Sequence, residues 1–153
     1  MTRSIRILAA SAAALAFAAG TAGATDIGQI KVTHGSVTIE RGGQSLPATL
    51  GTRLEQGDVV RTGADGSVGI TLTDDSLLSA GPNSELALDQ YSFDPTTDEG
   101  RFDTKLSKGT LAVVSGRIAK QSPKAMTVHM PGATLGVRGT EFVVSADNGR
   151  SVR

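Results

Sequence analysis

The stretch GATLGVRGTEFVV, Gly132 to Val144, is strand-like up to Val137 and again from Glu141, but its two faces exchange in the middle. Residues two apart in a strand face the same way, so Leu135 and Val137 share one side, and Thr134, Gly136 and Arg138 the other. Continued unbroken, that phase would place Gly139 and Glu141 on the apolar side and turn Phe142 outward with Arg138. A one-residue bulge or sharp bend at Gly139 restores Phe142 and Val144 to the core, and glycine is the residue such a kink tolerates best. Gly139 is therefore expected to be architectural. Arg138, outward beside the kink, is the candidate partner-binding side chain, weighed against the commoner role of an exposed or edge ion pair.

The same period-two grammar runs through the chain. Glycines punctuate short β-branched and aliphatic runs, as in GSVTI from Gly35, GSVGITL from Gly66 and GTLAVV from Gly109. Turn chemistry separates them at Thr62 to Gly66, Asp74-Asp75, Gly81-Pro82-Asn83 and Asp94 to Gly100. Strands are expected at Gln29–Thr33, Ser36–Arg41, Asp58–Arg61, Ser67–Thr73, Leu77–Ala80, Glu85–Phe93, Phe102–Ser107, Thr110–Val114, Ala125–Met130, Ala133–Val137 and Glu141–Ser145. No capped stripe of period 3.6 follows residue 24, so no substantial helix is expected. The fold class is all-β, an antiparallel multi-stranded sandwich or roll. Unequal spacing of the repeated units argues against a strict solenoid.

The N-terminus reads as a signal peptide spanning residues 1–24. Arg3 and Arg6 precede an apolar run from Ile7 to Ala19, and Ala22-Gly23-Ala24 forms a small-x-small cleavage site before Thr25. The apolar run is shorter than a membrane span. Residues 25–153 are then one domain, periplasmic or secreted after export. The chain has no cysteine, which excludes disulfides, thiolate metal sites and cysteine nucleophiles. Its Lys plus Arg and Asp plus Glu totals are equal at 15 each, with the basic residues scattered singly, so the footprint expected for nucleic acid is missing. The only aromatics after residue 24 are Tyr91, Phe93, Phe102 and Phe142, which weighs against stacking platforms for bases or sugars.

Constellations that would carry chemistry fail on spacing. His34 and His129 stand alone, without the ligand set of a zinc site. Asp94, Asp98 and Glu99 share an acidic loop that could attract calcium, but not at EF-hand spacing. No Gly-x-Ser-x-Gly elbow and no phosphate-cradling loop occurs. No enzyme activity, cofactor or metal is expected.

Three elements in order, GDVVRTGADGSVGITLTDDSLLSAGPNSEL, LSKGTLAVVSGRIAK and ATLGVRGTEFVV, resemble the FecR-type domain of bacterial envelope proteins, over about Gly28 to Ala146. Within that pattern Gly57, Asp58 and Gly63 take structural turn positions alongside Gly139. The resemblance implies a non-catalytic extracytoplasmic β-domain that binds an envelope protein or relays a signal. The alternative is a structural or surface-associated role, binding peptidoglycan or exopolysaccharide or assembling by β-edge pairing. Asp74-Asp75-Ser76 departs from the family's Asp-Gly turn, so Asp75 must adopt a positive φ or sit in another turn type. The short segment after Ala146 is expected to leave a sheet edge open to a partner or a second copy.

Overall fold

The structure, a computed structural model, describes residues 23–122, 124–137 and 141–146. Alternation is translated directly into strands: in Ser67–Leu72, Val68, Ile70 and Leu72 are buried while Ser67, Gly69 and Thr71 face out. In chain order the strands are β1 (Asp26–His34), β2 (Val37–Arg41), β3 (Gln44–Pro47), β4 (Arg53–Glu55), β5 (Val59–Thr62), β6 (Ser67–Leu72), β7 (Leu77–Ala80), β8 (Glu85–Phe93), β9 (Gly100–Val114), β10 (Met126–Met130), β11 (Ala133–Gly136) and β12 (Glu141–Ala146), with helix α1 (Arg117–Gln121) between β9 and β10.

The strands form one continuous sheet that curls into two layers because β9 belongs to both. Sheet A runs β12-β9-β7-β6-β1-β4, and sheet B runs β3-β2-β5-β8-β9-β10-β11. Up to Lys108, β9 pairs with β8; from Gly109 onward it pairs with β12, and from Leu111 with β7. The inward positions change parity across the bend, from Phe102, Thr104 and Leu106 to Leu111 and Val113. Gly109, at φ +91, absorbs the change. Between the layers lies one core, to which Ile30, Ile39, Leu54, Leu86, Leu88 and Val128 contribute fully buried side chains. Burial of that apolar area is the dominant favourable term in a chain without disulfides.

The all-β expectation holds, and the one helix among the described residues is short, at five residues. Four details differ from the sequence reading. The expected strands Phe102–Ser107 and Thr110–Val114 are one bent strand, since Gly109 bends the chain without ending the ladder. β3 and β4 lack readable alternation: β3 is mostly exposed and ends on Pro47, as edge strands do. β10 runs parallel to β9, because α1 supplies the crossover that a parallel return requires. β11 is exposed along its length, so the inward phase of its segment begins only at Val137.

Candidate binding surfaces

The two outer faces of the molecule are chemically unlike. Across sheet B, Glu40 on β2, Arg61 on β5 and Glu85 on β8 form a ladder, with Arg61 2.6 Å from the Glu40 carboxylate and 3.3 Å from that of Glu85. Lys108 stands opposite Glu85, and Lys105 lies one row along. These are solvated charges that keep the face wet.

Across sheet A the register places Val143, Ala112, Ser79, Gly69 and Val32 in one cross-strand row, on β12, β9, β7, β6 and β1. The row carries no charge, and Val143 and Val32 are 66% and 50% exposed. The adjoining row reads Glu141, Val114, Leu77, Thr71, Gln29 and Arg53, with charge only at its two ends. Leu77 and Val114 in its middle are also exposed. On the other side, Ser145 and Thr110 pair through their hydroxyls at 3.3 Å. Lys31 stands out of register at the β1 bulge. An apolar and hydroxyl surface with charge at its margins has the layout of a protein interface, depleted of charge at the centre and polar at the rim.

A second feature lies at the end of the sandwich where β6 and β8 finish. Asp74, 1% exposed, accepts the Ser76 hydroxyl at 2.7 Å and the Ile118 amide at 3.3 Å through Oδ2. Its Oδ1 accepts the Ser76 amide at 3.2 Å and the Tyr91 hydroxyl at 3.2 Å. Its backbone carbonyl accepts the Arg117 amide at 2.8 Å. Asp74 thus serves α1 as a cap contributed from a distant turn, satisfying donors the short helix cannot satisfy itself. Asp75 adopts φ +67, the first of the two alternatives its sequence left open. Burial pushes the Tyr91 hydroxyl pKa well above its ordinary value.

The residues singled out in the sequence are dispersed. Gly57 takes φ +91 with open space around it, so its role is conformational. Asp58 is 1% exposed, receives Arg41 in bidentate fashion at 2.8 and 2.7 Å, and caps the Glu55 amide at 2.9 Å. Hydrogen bonding to Asp58 raises the Arg41 guanidinium pKa above its usual value. Gly63 donates to the Ser36 carbonyl and accepts from the Gly66 and Asn83 amides, tying three turns together. Arg138 and Gly139 lie outside the described residues. Phe142 is partly buried against the core and Val144 is 8% exposed, while Val143 points out.

The ionisable groups do not converge. His34 is exposed at the end of β1, and His129 Nδ1 meets Thr134 at 3.2 Å. The acidic loop is not arranged as a cation site: Asp94 accepts the Thr96 amide, and Asp98 pairs with Arg117. Among the described residues no group of three His, Asp or Glu side chains is placed to hold a metal. The interface-like face and the Asp74 hub escaped the sequence reading because both depend on register between strands distant in sequence.

A family model described as FecR protein matches residues 58–153. The chain belongs to the FecR family. The match opens at Asp58, the buried partner of Arg41, and leaves β1 to β4 outside it. FecR domains are regulatory, envelope-associated modules and not enzymes. Among solved structures, one described as a cell surface anchoring domain is 35% identical, with 40% of this FecR chain and 82% of that chain covered and a TM-score of 0.39. No curated protein matches. No helix among the described residues is long and apolar enough to cross a membrane.

Proposed function

We propose that this FecR chain is an exported, non-catalytic docking module of the bacterial cell envelope, which binds a protein partner through the outer face of sheet A. The observation that carries this reading is the uncharged row Val143-Ala112-Ser79-Gly69-Val32, set against the charged ladder on sheet B. A face with small side chains at its centre suits a partner presenting an equally uncharged β-surface; a charged partner would leave its charges desolvated and unpaired. Residues 1–24 act as the signal peptide and residues 25–153 as the working domain, periplasmic or secreted. Arg138 is proposed as a partner-binding side chain. Gly57, Asp58, Gly63 and Gly139 are proposed as structural turn or bulge residues.

The test is capture of envelope proteins on immobilised wild-type chain, a Ser79→Glu variant and a Lys105→Glu variant. A partner retained by wild type and Lys105→Glu but released by Ser79→Glu supports the reading. Equal retention by all three, or selective loss with Lys105→Glu, opposes it.

A second reading is assembly of two copies edge to edge through β12. It is favoured by Val143, exposed on a strand whose only partner among the described residues is β9. Sedimentation of the wild-type chain and a Val143→Lys variant separates the two: a dimer abolished by the lysine supports edge pairing, and a monomer at all concentrations removes it.

A further inference from the structure

A cavity of about 520 Å³ opens at the end of the sandwich, beside the Asp74 hub. It shares no residue with the sheet A row, so it stands independently of the docking reading. Its size falls within the roughly 300–1,000 Å³ range of small-molecule sites. Two of the four aromatics that follow residue 24, Tyr91 and Phe93, line it. In a chain so poor in aromatic residues, their convergence on one opening is the feature that sequence spacing could not show.

Tyr91 is anchored within the fold, and the polar groups of the wall are only partly used. Tyr91 is held by its hydroxyl to Asp74 and Thr73, and its ring packs edge-on against Phe102 with centroids 5.6 Å apart. Phe93 is half-buried, and Arg117, which is not part of the cavity wall, lies 5.0 Å from its ring centroid. Gln56, a residue of the wall, accepts the Tyr91 amide through its carbonyl oxygen at 3.1 Å, which leaves the two N–H donors of its side chain outside that bond. Ser92, an exposed residue, also lines the wall. The only charged side chain of the wall, Asp26, is balanced by Arg53 at 2.9 Å, and Asp26 keeps its second oxygen as an acceptor.

An aromatic ring beside an amide, a hydroxyl residue and a carboxylate oxygen is complementary to a ring-shaped molecule that has C–H edges and many hydroxyl groups. The wall itself contributes no cationic side chain that a phosphate would need. We infer that this cavity binds an uncharged saccharide unit, with Phe93 stacking against the sugar ring and Gln56, Ser92 and Asp26 hydrogen-bonding its hydroxyls.

The test uses isotopically labelled protein recovered from the envelope of expressing cells, its N-terminus sequenced because cleavage before Thr25 takes Ala24 out of the cavity rim and leaves the Thr25 amino group there. The Tyr91 and Phe93 ring resonances are followed during titration with cello-oligosaccharides, chito-oligosaccharides, oligogalacturonates and a neutral apolar peptide. The expected result is saturable perturbation of both rings by a neutral oligosaccharide. Affinity should weaken about tenfold in Gln56→Glu, which retains the acceptor for the Tyr91 amide but loses the two donors, with an unchanged melting temperature. Ser92→Ala provides a second, structurally silent variant expected to weaken binding in the same direction. Silence of both rings towards every sugar overturns the inference. So does a response confined to oligogalacturonate or the peptide, or wild-type affinity in both variants.

Discussion

Gly109 lies so close to Ser84 that a β-carbon placed on it would fall 2.1 Å from the serine hydroxyl oxygen and 2.4 Å from the serine α-carbon. This contact marks where β9 leaves sheet B for sheet A, and Ser84 fastens the corner by accepting the Thr110 amide at 3.1 Å. Gly109→Ala combines a positive φ with collision against backbone and is expected to cost about 3 kcal/mol. Gly43→Ala has a positive φ but open space around it and should cost only about 1 kcal/mol. Urea denaturation of the two variants measures the difference.

Asp74 holds β8, α1 and its own turn together. Asp74→Ala would leave the Ile118 amide and the Ser76 hydroxyl without their acceptor and the Tyr91 hydroxyl with Thr73 alone, and is expected to cost about 3 kcal/mol. Hydrogen exchange should show protection lost first at Gly116 to Ile118. Uniform loss across the domain, without that order, would argue that α1 is not anchored by Asp74.

Tyr91 gives the fold an alkaline limit. The folded chain holds the phenolic proton more tightly than the unfolded one, because burial disfavours the phenolate. This contribution to stability is complete below the unfolded phenol's pKa of about 10 and declines as pH rises above it, towards the folded value. Tyr91→Phe should lower stability by about 1–2 kcal/mol at neutral pH through the lost hydrogen bonds. It should also flatten the decline above pH 10; denaturant midpoints across that range provide the measurement.

Arg41 and Asp58 form a part-buried bidentate ion pair, with Glu55 at 2.8 Å from the same guanidinium. Arg41→Ala strands the Asp58 carboxylate, but Arg41 is itself about one-third exposed, so a loss of about 2 kcal/mol is expected instead of the full cost of a wholly buried pair. Arg41→Lys should recover less than half of it, since an ammonium cannot reproduce the fork. Thermal melts of the two variants decide.

Much of this fold was legible because alternation is local. Val68, Ile70 and Leu72, or Leu86 and Leu88, declare their inward face within a few residues, and β7 and β8 run where the sequence placed them. The bend in β9 was half legible: Gly109 and the parity change between Leu106 and Leu111 were visible, but a turn and a bent strand share that signature. β3 and β4 were silent because short edge strands lack a buried face to pattern. The surfaces were illegible for a different reason. Ser79 and Val143 are unremarkable in sequence, and their shared row exists only because β7 and β12 flank β9 in a fixed register. Tyr91, Phe93 and Gln56 likewise meet only once β8 passes the turn after β4.

The central claim is that the uncharged face of sheet A is where this FecR domain meets its partner. The most direct measurement places a photo-crosslinking amino acid at position 79 or, as control, at position 105, in cells expressing the full chain. The account predicts one discrete crosslinked species from position 79 and none from position 105. Crosslinking from position 105 alone, or from neither position, would contradict it.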